Sequence, residues 1–219
     1  MSTSRDVTIV DVCSGNLRSV ERALAAAGAS VTITRDPDAV RKADRVVVPG
    51  QGAFGVFMQG LDVRGLGDAL REAIRSGRPY LGICLGMQVL FESSEEQGPV
   101  DGLGILGGRV VRLAPTDRRL KVPHMGWNRV RQIVHNSPTD GDTLPPDELF
   151  AGVADGAYFY FVHSYHAVPT DRSILAATAE HGSSITAAVR RNNVFACQFH
   201  PEKSQAVGLR LLANFVEST

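Results

Sequence analysis

The pattern of apolar and polar positions divides the chain near Gly98: before it strand-like and helix-like runs alternate, and after it strands follow one another. Residues 7–12 form a short, almost continuous apolar run, the mark of a strand buried on both faces. Leu17, Val20, Leu24 and Ala27 then recur at helical spacing until Gly28 closes the segment. The step repeats: residues 30–34 predict a strand, 37–43 a short helix, and 45–48 a continuous apolar strand ending in Pro49-Gly50. Residues 66–74 carry a helical stripe, 79–83 make another buried strand, and 85–95 follow as a helix with Met87, Leu90 and Phe91 on one side. This alternation predicts an α/β fold with a mostly parallel central sheet and helices on both faces.

Beyond Gly98 the runs at 109–113, 127–134, 158–162, 174–178, 184–190 and 194–199 predict strands without intervening helices, the last two paired across Arg191-Asn192-Asn193. They predict an additional antiparallel region in the C-terminal half. Residues 136–147 are polar and rich in proline and read as a surface loop. A closing helix over 203–216 has Val207, Leu211, Ala213, Phe215 and Val216 to bury. No internal repeat is present and 219 residues suit one sheet, so residues 1–219 are expected to form a single domain.

Composition narrows the function classes. Lys+Arg and Asp+Glu are equal at 23 each and no basic run stands out, so nucleic acid is not an expected partner. The N-terminal residues lead straight into the first strand, with no signal-peptide region and no stretch of about 18 apolar residues; a cytoplasmic protein free of the membrane is expected. The three cysteines, Cys13, Cys84 and Cys197, have no C-x-x-C spacing, which argues against a disulfide framework and a zinc site.

Cys84 stands apart from the other two. It lies at the junction of a buried strand and a helix, with Gly82 and Gly86 two residues away on each side, a strand-turn-helix elbow that exposes a nucleophile. Unpaired N–H groups and the helix dipole at such a position favour the thiolate. Cys13 and Cys197, in or beside apolar strands, read as small buried hydrophobes. His200 and Glu202 stand two apart at the end of a strand, where i and i+2 point to the same side and the carboxylate can hold the imidazole. Pro201 between them favours extended backbone at His200. Pro49-Gly50-Gln51-Gly52-Ala53-Phe54-Gly55 reads as a loop too rich in glycine for regular structure. The glycines would let the Gln51 peptide turn its N–H toward a developing oxyanion, with the Leu85 N–H as the second donor. His163, His166 and His181 read as surface or hydrogen-bonded residues.

Together the segment around Cys84, His200-Pro201-Glu202 and the glycine loop resemble the class I, or triad, glutamine amidotransferases. Asn16-Leu-Arg-Ser-Val20, Pro49 to Gly55, His124-Met-Gly-Trp-Asn128, Tyr160-Phe-Val-His-Ser-Tyr165 and Gln198-Phe-His-Pro-Glu-Lys-Ser204 narrow the likeness to the glutaminase subunits of imidazole glycerol phosphate synthases. The resemblance implies a flavodoxin-like glutamine amidotransferase type 1 domain that needs no cofactor. It also implies a heterodimer with a (β/α)8-barrel cyclase, which uses the ammonia in histidine biosynthesis to form imidazole glycerol phosphate and aminoimidazole carboxamide ribotide. Carried over by position, it makes Cys84 the nucleophile, His200 the acid and base, and Glu202 its orienter. Gly52, Gln88, Glu96, Ser164 and Tyr165 would hold glutamine, and Asn16, Trp127 and Lys203 would lie at or near the cyclase. Gln51 departs from the family, which commonly has valine there. Three alternatives stay open at this point: a triad glutaminase serving another ammonia acceptor, a non-catalytic module on the same fold, and an unrelated cysteine hydrolase.

Overall fold

A computed structural model describes residues 5–13, 16–117, 119–135 and 147–218; most of the expected surface loop, 136–146, lies outside the described residues. The chain runs through β1 (Asp6–Val10), α1 (Leu17–Ala26), β2 (Ser30–Thr34), α2 (Pro37–Lys42) and β3 (Val46–Gly50). Two helices follow in succession, α3 (Phe54–Val63) and α4 (Leu66–Arg75), and then β4 (Tyr80–Cys84). A single turn, α5 (Leu85–Gln88), precedes β5 (Phe91–Ser94), β6 (Val100–Asp101), β7 (Leu106–Arg112), β8 (His124–Arg129) and β9 (Arg131–Gln132). The strands β10 (Tyr158–His163), β11 (Tyr165–Pro169), β12 (Leu175–Glu180), β13 (Ser184–Arg191) and β14 (Val194–Cys197) lead to the closing helix α6 (Gln205–Glu217).

Eight strands make the central sheet in the order β2-β1-β3-β4-β14-β13-β12-β9. The first five are parallel and the last three pair antiparallel. Side chains of the buried strands alternate between two cores, as the strand period requires. Val46 and Val48 join Phe57, Leu61 and Leu70 on the face covered by α2, α3 and α4, while Val47 joins Leu24, Leu211 and Phe215 under α1 and α6. A four-stranded sheet, β11-β7-β5-β6, and the β8–β10 ribbon stand beside this frame. Among the described residues no helix is long and apolar enough to cross a membrane.

Several expectations change: the strand expected over 127–134 splits between β8 in the ribbon and β9 in the central sheet, and Glu202, expected on a strand end with His200, sits in a 3-10 turn over Pro201–Lys203. The helix expected over 85–95 stops at Gln88, because the carbonyls that would continue it accept from elsewhere: Val89 from the Leu103 N–H, Leu90 from Ile105 and Leu106, and Phe91 from Gly104. The chain then turns into β5, parallel to β7. The glycine segment 49–55 is not wholly irregular: Pro49-Gly50 ends β3, and Phe54-Gly55 opens α3, a helix whose buried Phe54, Phe57, Met58 and Leu61 follow helical spacing. Finally, the C-terminal strands are not all antiparallel. β14 pairs antiparallel with β13 but parallel with β4, and this brings the segment bearing His200 beside Cys84.

Candidate active site

Cys84 ends β4 and caps α5 with φ 55° and ψ −107°, a backbone that costs an L-residue strain. Glycines let three backbones meet at this turn. A Cβ on Gly82 would come 2.5 Å from the Gly86 carbonyl oxygen, one on Gly50 would come 2.7 Å from Leu85 Cβ, and one on Gly86 would collide with the Val48 carbonyl oxygen. The short α5 is tied from below as well, since the buried Tyr80 hydroxyl donates to the Gly86 carbonyl at 2.8 Å. Leu85 occupies the first helical position, where an N–H has no acceptor within the helix.

His200 follows β14. Its N–H donates to the Tyr160 carbonyl at 2.8 Å, and the Ser204 hydroxyl donates to its carbonyl at 2.6 Å, so the backbone is held from two sides. Its Nδ1 lies 2.8 Å from Glu202 Oε1, with the two side chains only 7% and 2% exposed. Burial opposes charging of His200, but the Cys84 thiol and the Glu202 carboxylate together outweigh it, and the pKa is pushed up to about 9. With Nδ1 engaged, Nε2 is buried and has no hydrogen-bond partner among the described residues. A ring nitrogen left free in this way can exchange a proton with a neighbouring group.

Cys84, Leu85 and His200 open into a cavity of about 380 Å³, within the range of small-molecule sites. Gly52, Gln88, Glu96, Ser164 and Tyr165, the five positions expected to hold substrate, line it together, as do Gln51 and Lys203. Glu96 has a second contact, accepting the Phe54 N–H at 2.8 Å and so holding the start of α3 just beyond the glycine loop. Gly52 has φ +99° with open space around it, so the backbone angle rather than crowding demands glycine there.

The three positions expected at a partner surface divide. Trp127 and Lys203 meet through Tyr160, whose ring lies 6.1 Å from Trp127 and 5.7 Å below the Lys203 ammonium. Asn16 precedes α1 and borders a second, small cavity of about 20 Å³ shared with Gln51, His200 and Glu202. Alternation along β8 turns Met125 and Trp127 outward, 63% and 46% exposed, beside Tyr158 at 49%; this is a contiguous apolar face.

Of the other cysteines, Cys197 is fully buried and its thiol is pushed up by burial, while Cys13 is half-buried. His163 and His181 are buried and hydrogen-bonded, the former bordering the large cavity. The sequence reading gave no role to Gln198, which is fully buried and places its amide nitrogen 3.4 Å from Cys84 Sγ. Among the described residues no group of three or more His, Cys, Asp or Glu is placed to hold a metal ion.

Comparison with known proteins shows the family. The family model described as glutamine amidotransferase class-I matches residues 8–218. An imidazole glycerol phosphate synthase subunit HisH of Syntrophotalea carbinolica is 48% identical over 214 residues, covering 95% of this chain and 98% of that protein. The protein of the same description from Aromatoleum aromaticum is 49% identical over 219 residues, covering 96% and 97%. Among solved structures, the glutaminase domain of Trypanosoma brucei CTPS shares the fold with a TM-score of 0.66 at 16% identity, over 99% of this chain and 95% of that one. PurLQS from Thermotoga maritima does so with a TM-score of 0.69 at 17% identity, over 97% and 98%. The chain belongs to the class-I glutamine amidotransferases and, within them, to the HisH subunits of imidazole glycerol phosphate synthase.

Proposed function

We propose that the chain hydrolyses glutamine through Cys84, His200 and Glu202 and hands the ammonia to a cyclase subunit, making imidazole glycerol phosphate and aminoimidazole carboxamide ribotide in histidine biosynthesis. The observation that carries the assignment is the buried His200–Glu202 pair, whose remaining ring nitrogen is unpartnered among the described residues and lies by the cavity that Cys84 enters. Cys84 attacks the side-chain amide of glutamine, and His200 protonates the departing ammonia. Water activated by His200 then releases glutamate from the thioester. The Gln51 and Leu85 N–H groups serve the oxyanion, and Gly52, Gln88, Glu96, Ser164 and Tyr165 hold the substrate.

The partner is a (β/α)8-barrel cyclase, bound as a heterodimer over Asn16, Trp127 and Lys203. Ammonia freed in neutral water becomes ammonium, which is not a nucleophile, so direct transfer across that interface favours the coupled reaction. The exposed face of Met125, Trp127 and Tyr158 supports a docking surface there. The enzyme works in the cytoplasm as one amidotransferase domain without a cofactor. The test is glutamate release by the chain alone, with the cognate cyclase, and with the cyclase and its ligand. Turnover that rises sharply with the liganded cyclase and disappears in Cys84→Ala is expected. Undiminished turnover in Cys84→Ala, or none under all three conditions, would overturn the assignment.

A further inference from the structure

We propose that Gln198 is a further catalytic residue, its side-chain amide donating an N–H to the Cys84 sulfur whenever that sulfur carries negative charge. The proposal rests on the glutaminase reading of Cys84. Gln198 Nε2 lies 3.4 Å from Sγ and the whole residue is buried, so water cannot take its place.

An amide can present either end to a neighbour, and the surrounding hydrogen bonds decide which. The Tyr165 carbonyl can only accept, so the end of the Gln88 amide that lies 2.9 Å from it is the nitrogen. The same nitrogen lies 2.9 Å from the Gln198 amide, which must therefore turn its oxygen to Gln88 and its nitrogen to the sulfur. The opposite orientation would set two N–H donors face to face in a buried place.

The Tyr165 carbonyl is itself held by a second chain of fixed polarity. His163 Nδ1 donates to it at 2.9 Å, which leaves a lone pair on His163 Nε2 for the Nδ1–H of His124 at 3.0 Å. His124 Nε2 then accepts from the Asn128 amide nitrogen at 3.1 Å, and that nitrogen also donates to the Glu180 carbonyl at 2.8 Å. The Asn128 oxygen accepts the Arg129 N–H at 2.8 Å, so its orientation is settled as well. Burial keeps both rings neutral, with pKa values lowered to about 4 for His124 and about 3 for His163. From β8 to Cys84, each group has one allowed orientation.

The reaction needs such a donor at two moments. Thiolate adds to the amide carbon, the C–N bond breaks, and the nitrogen leaves as ammonia with the proton of His200; the sulfur is then neutral in the thioester. Water next gives a proton to His200 and its oxygen to the thioester carbon, and the C–S bond breaks with the electron pair on sulfur. The Gln198 N–H stabilises the sulfur before the first step and as the leaving group of the second.

The test is the pH profile of Cys84 alkylation by iodoacetamide in the full chain, read by mass spectrometry of the Cys84 peptide, so that neither glutamine nor cyclase is required. Gln198→Met keeps the length and removes the donor. It should move the midpoint about one pH unit higher and slow alkylation about tenfold below that midpoint. Gln198→Asn retracts the amide by one methylene and should move the profile the same way, so the result does not hang on one variant's folding. A folded Gln198→Met or Gln198→Asn whose profile overlays the wild type overturns the proposal. Should the profile shift as expected while wild type with liganded cyclase releases no glutamate, the donor role stands and the glutaminase reading falls.

Discussion

Replacing Glu202 by glutamine isolates the charge of the group that orients His200. The side chain is 2% exposed and 2.8 Å from His200 Nδ1, and glutamine keeps an oxygen at the same reach, so the main change is the loss of a buried negative charge. A hydrogen bond to a charged group contributes about 1.5–3 kcal/mol and one between neutral groups about 0.5–1.5 kcal/mol, so the imidazolium loses on the order of 1 kcal/mol of support. At about 1.36 kcal/mol per pH unit, the His200 pKa of about 9 should fall by about one unit. It should not return to 6.5, because Cys84 also favours the charged ring.

The assay is glutamate release with liganded cyclase across the alkaline range. In the proposed mechanism His200 must be protonated to release ammonia, so the alkaline limb reports the Cys84–His200 pair, expected near pH 9 in the wild type and about one unit lower in Glu202→Gln. Stability carries the same sign. A histidine whose folded pKa exceeds 6.5 contributes fully below that pH and loses the contribution as pH rises through about 9. Urea unfolding near pH 6 and near pH 10 should therefore find Glu202→Gln destabilised more at the lower pH, by about 1 kcal/mol; the difference removes the desolvation of the carboxylate from the comparison. An alkaline limb that does not move in the variant would refute the reasoning.

Three further outcomes follow from other parts of the molecule. At φ 55° Cys84 is strained, so Cys84→Gly should be more stable than Cys84→Ala by about 1 kcal/mol in urea titrations, with both inactive. His124 and His163 are held neutral, so between pH 6.5 and about 4 the unfolded chain binds protons that the folded chain refuses, and stability falls as pH falls. Unfolding near pH 5 should show a loss of roughly 2 kcal/mol per ring relative to pH 6.5, and a total below about 1 kcal/mol would count against two neutral buried rings. Trp127 is half exposed, so Trp127→Ala should leave the melting temperature unchanged while weakening cyclase binding by about 2 kcal/mol, roughly 30-fold in Kd by calorimetry.

The frame of the fold was legible where local pattern and tertiary demand agree. β2 matches its expected span of 30–34 in full, and β1, β3, β4 and α4 lie within a residue or two of theirs, because strands buried on both faces and one-sided helices leave different apolar periods. The misreadings arise where distant groups override that signal. Met87, Leu90 and Phe91 are all buried, as a helix over 85–95 would have them, yet backbone N–H groups from residues 103–106 take the carbonyls that the helix needed. In α3 the error ran the other way: Gly50, Gly52 and Gly55 marked 49–55 as a loop, while the apolar residues at 54, 57, 58 and 61 mark a helix from Phe54.

The site shows how far one local rule reaches. Spacing i to i+2 along an extended strand led from His200 forward to Glu202; the structure holds that pair at 2.8 Å, but through a 3-10 turn over Pro201–Lys203 rather than along a strand. Gln198, two positions before His200 and just past the end of β14, also reaches the site, with its amide nitrogen 3.4 Å from Cys84 Sγ. Glutamine does not titrate and so carries no chemical signal of its own in the sequence. What gives Gln198 a direction lies elsewhere in the chain: Gln88, 110 positions earlier, turns its oxygen away from the sulfur, and the Tyr165 carbonyl, 77 positions from Gln88, fixes Gln88 in turn. A carbonyl cannot donate, and that one-way property passes through two amides to set which end of Gln198 meets the nucleophile. Residue type alone identified the group that could move a proton, whereas the polarity of the group beside the sulfur depends on a backbone atom that no side-chain motif records.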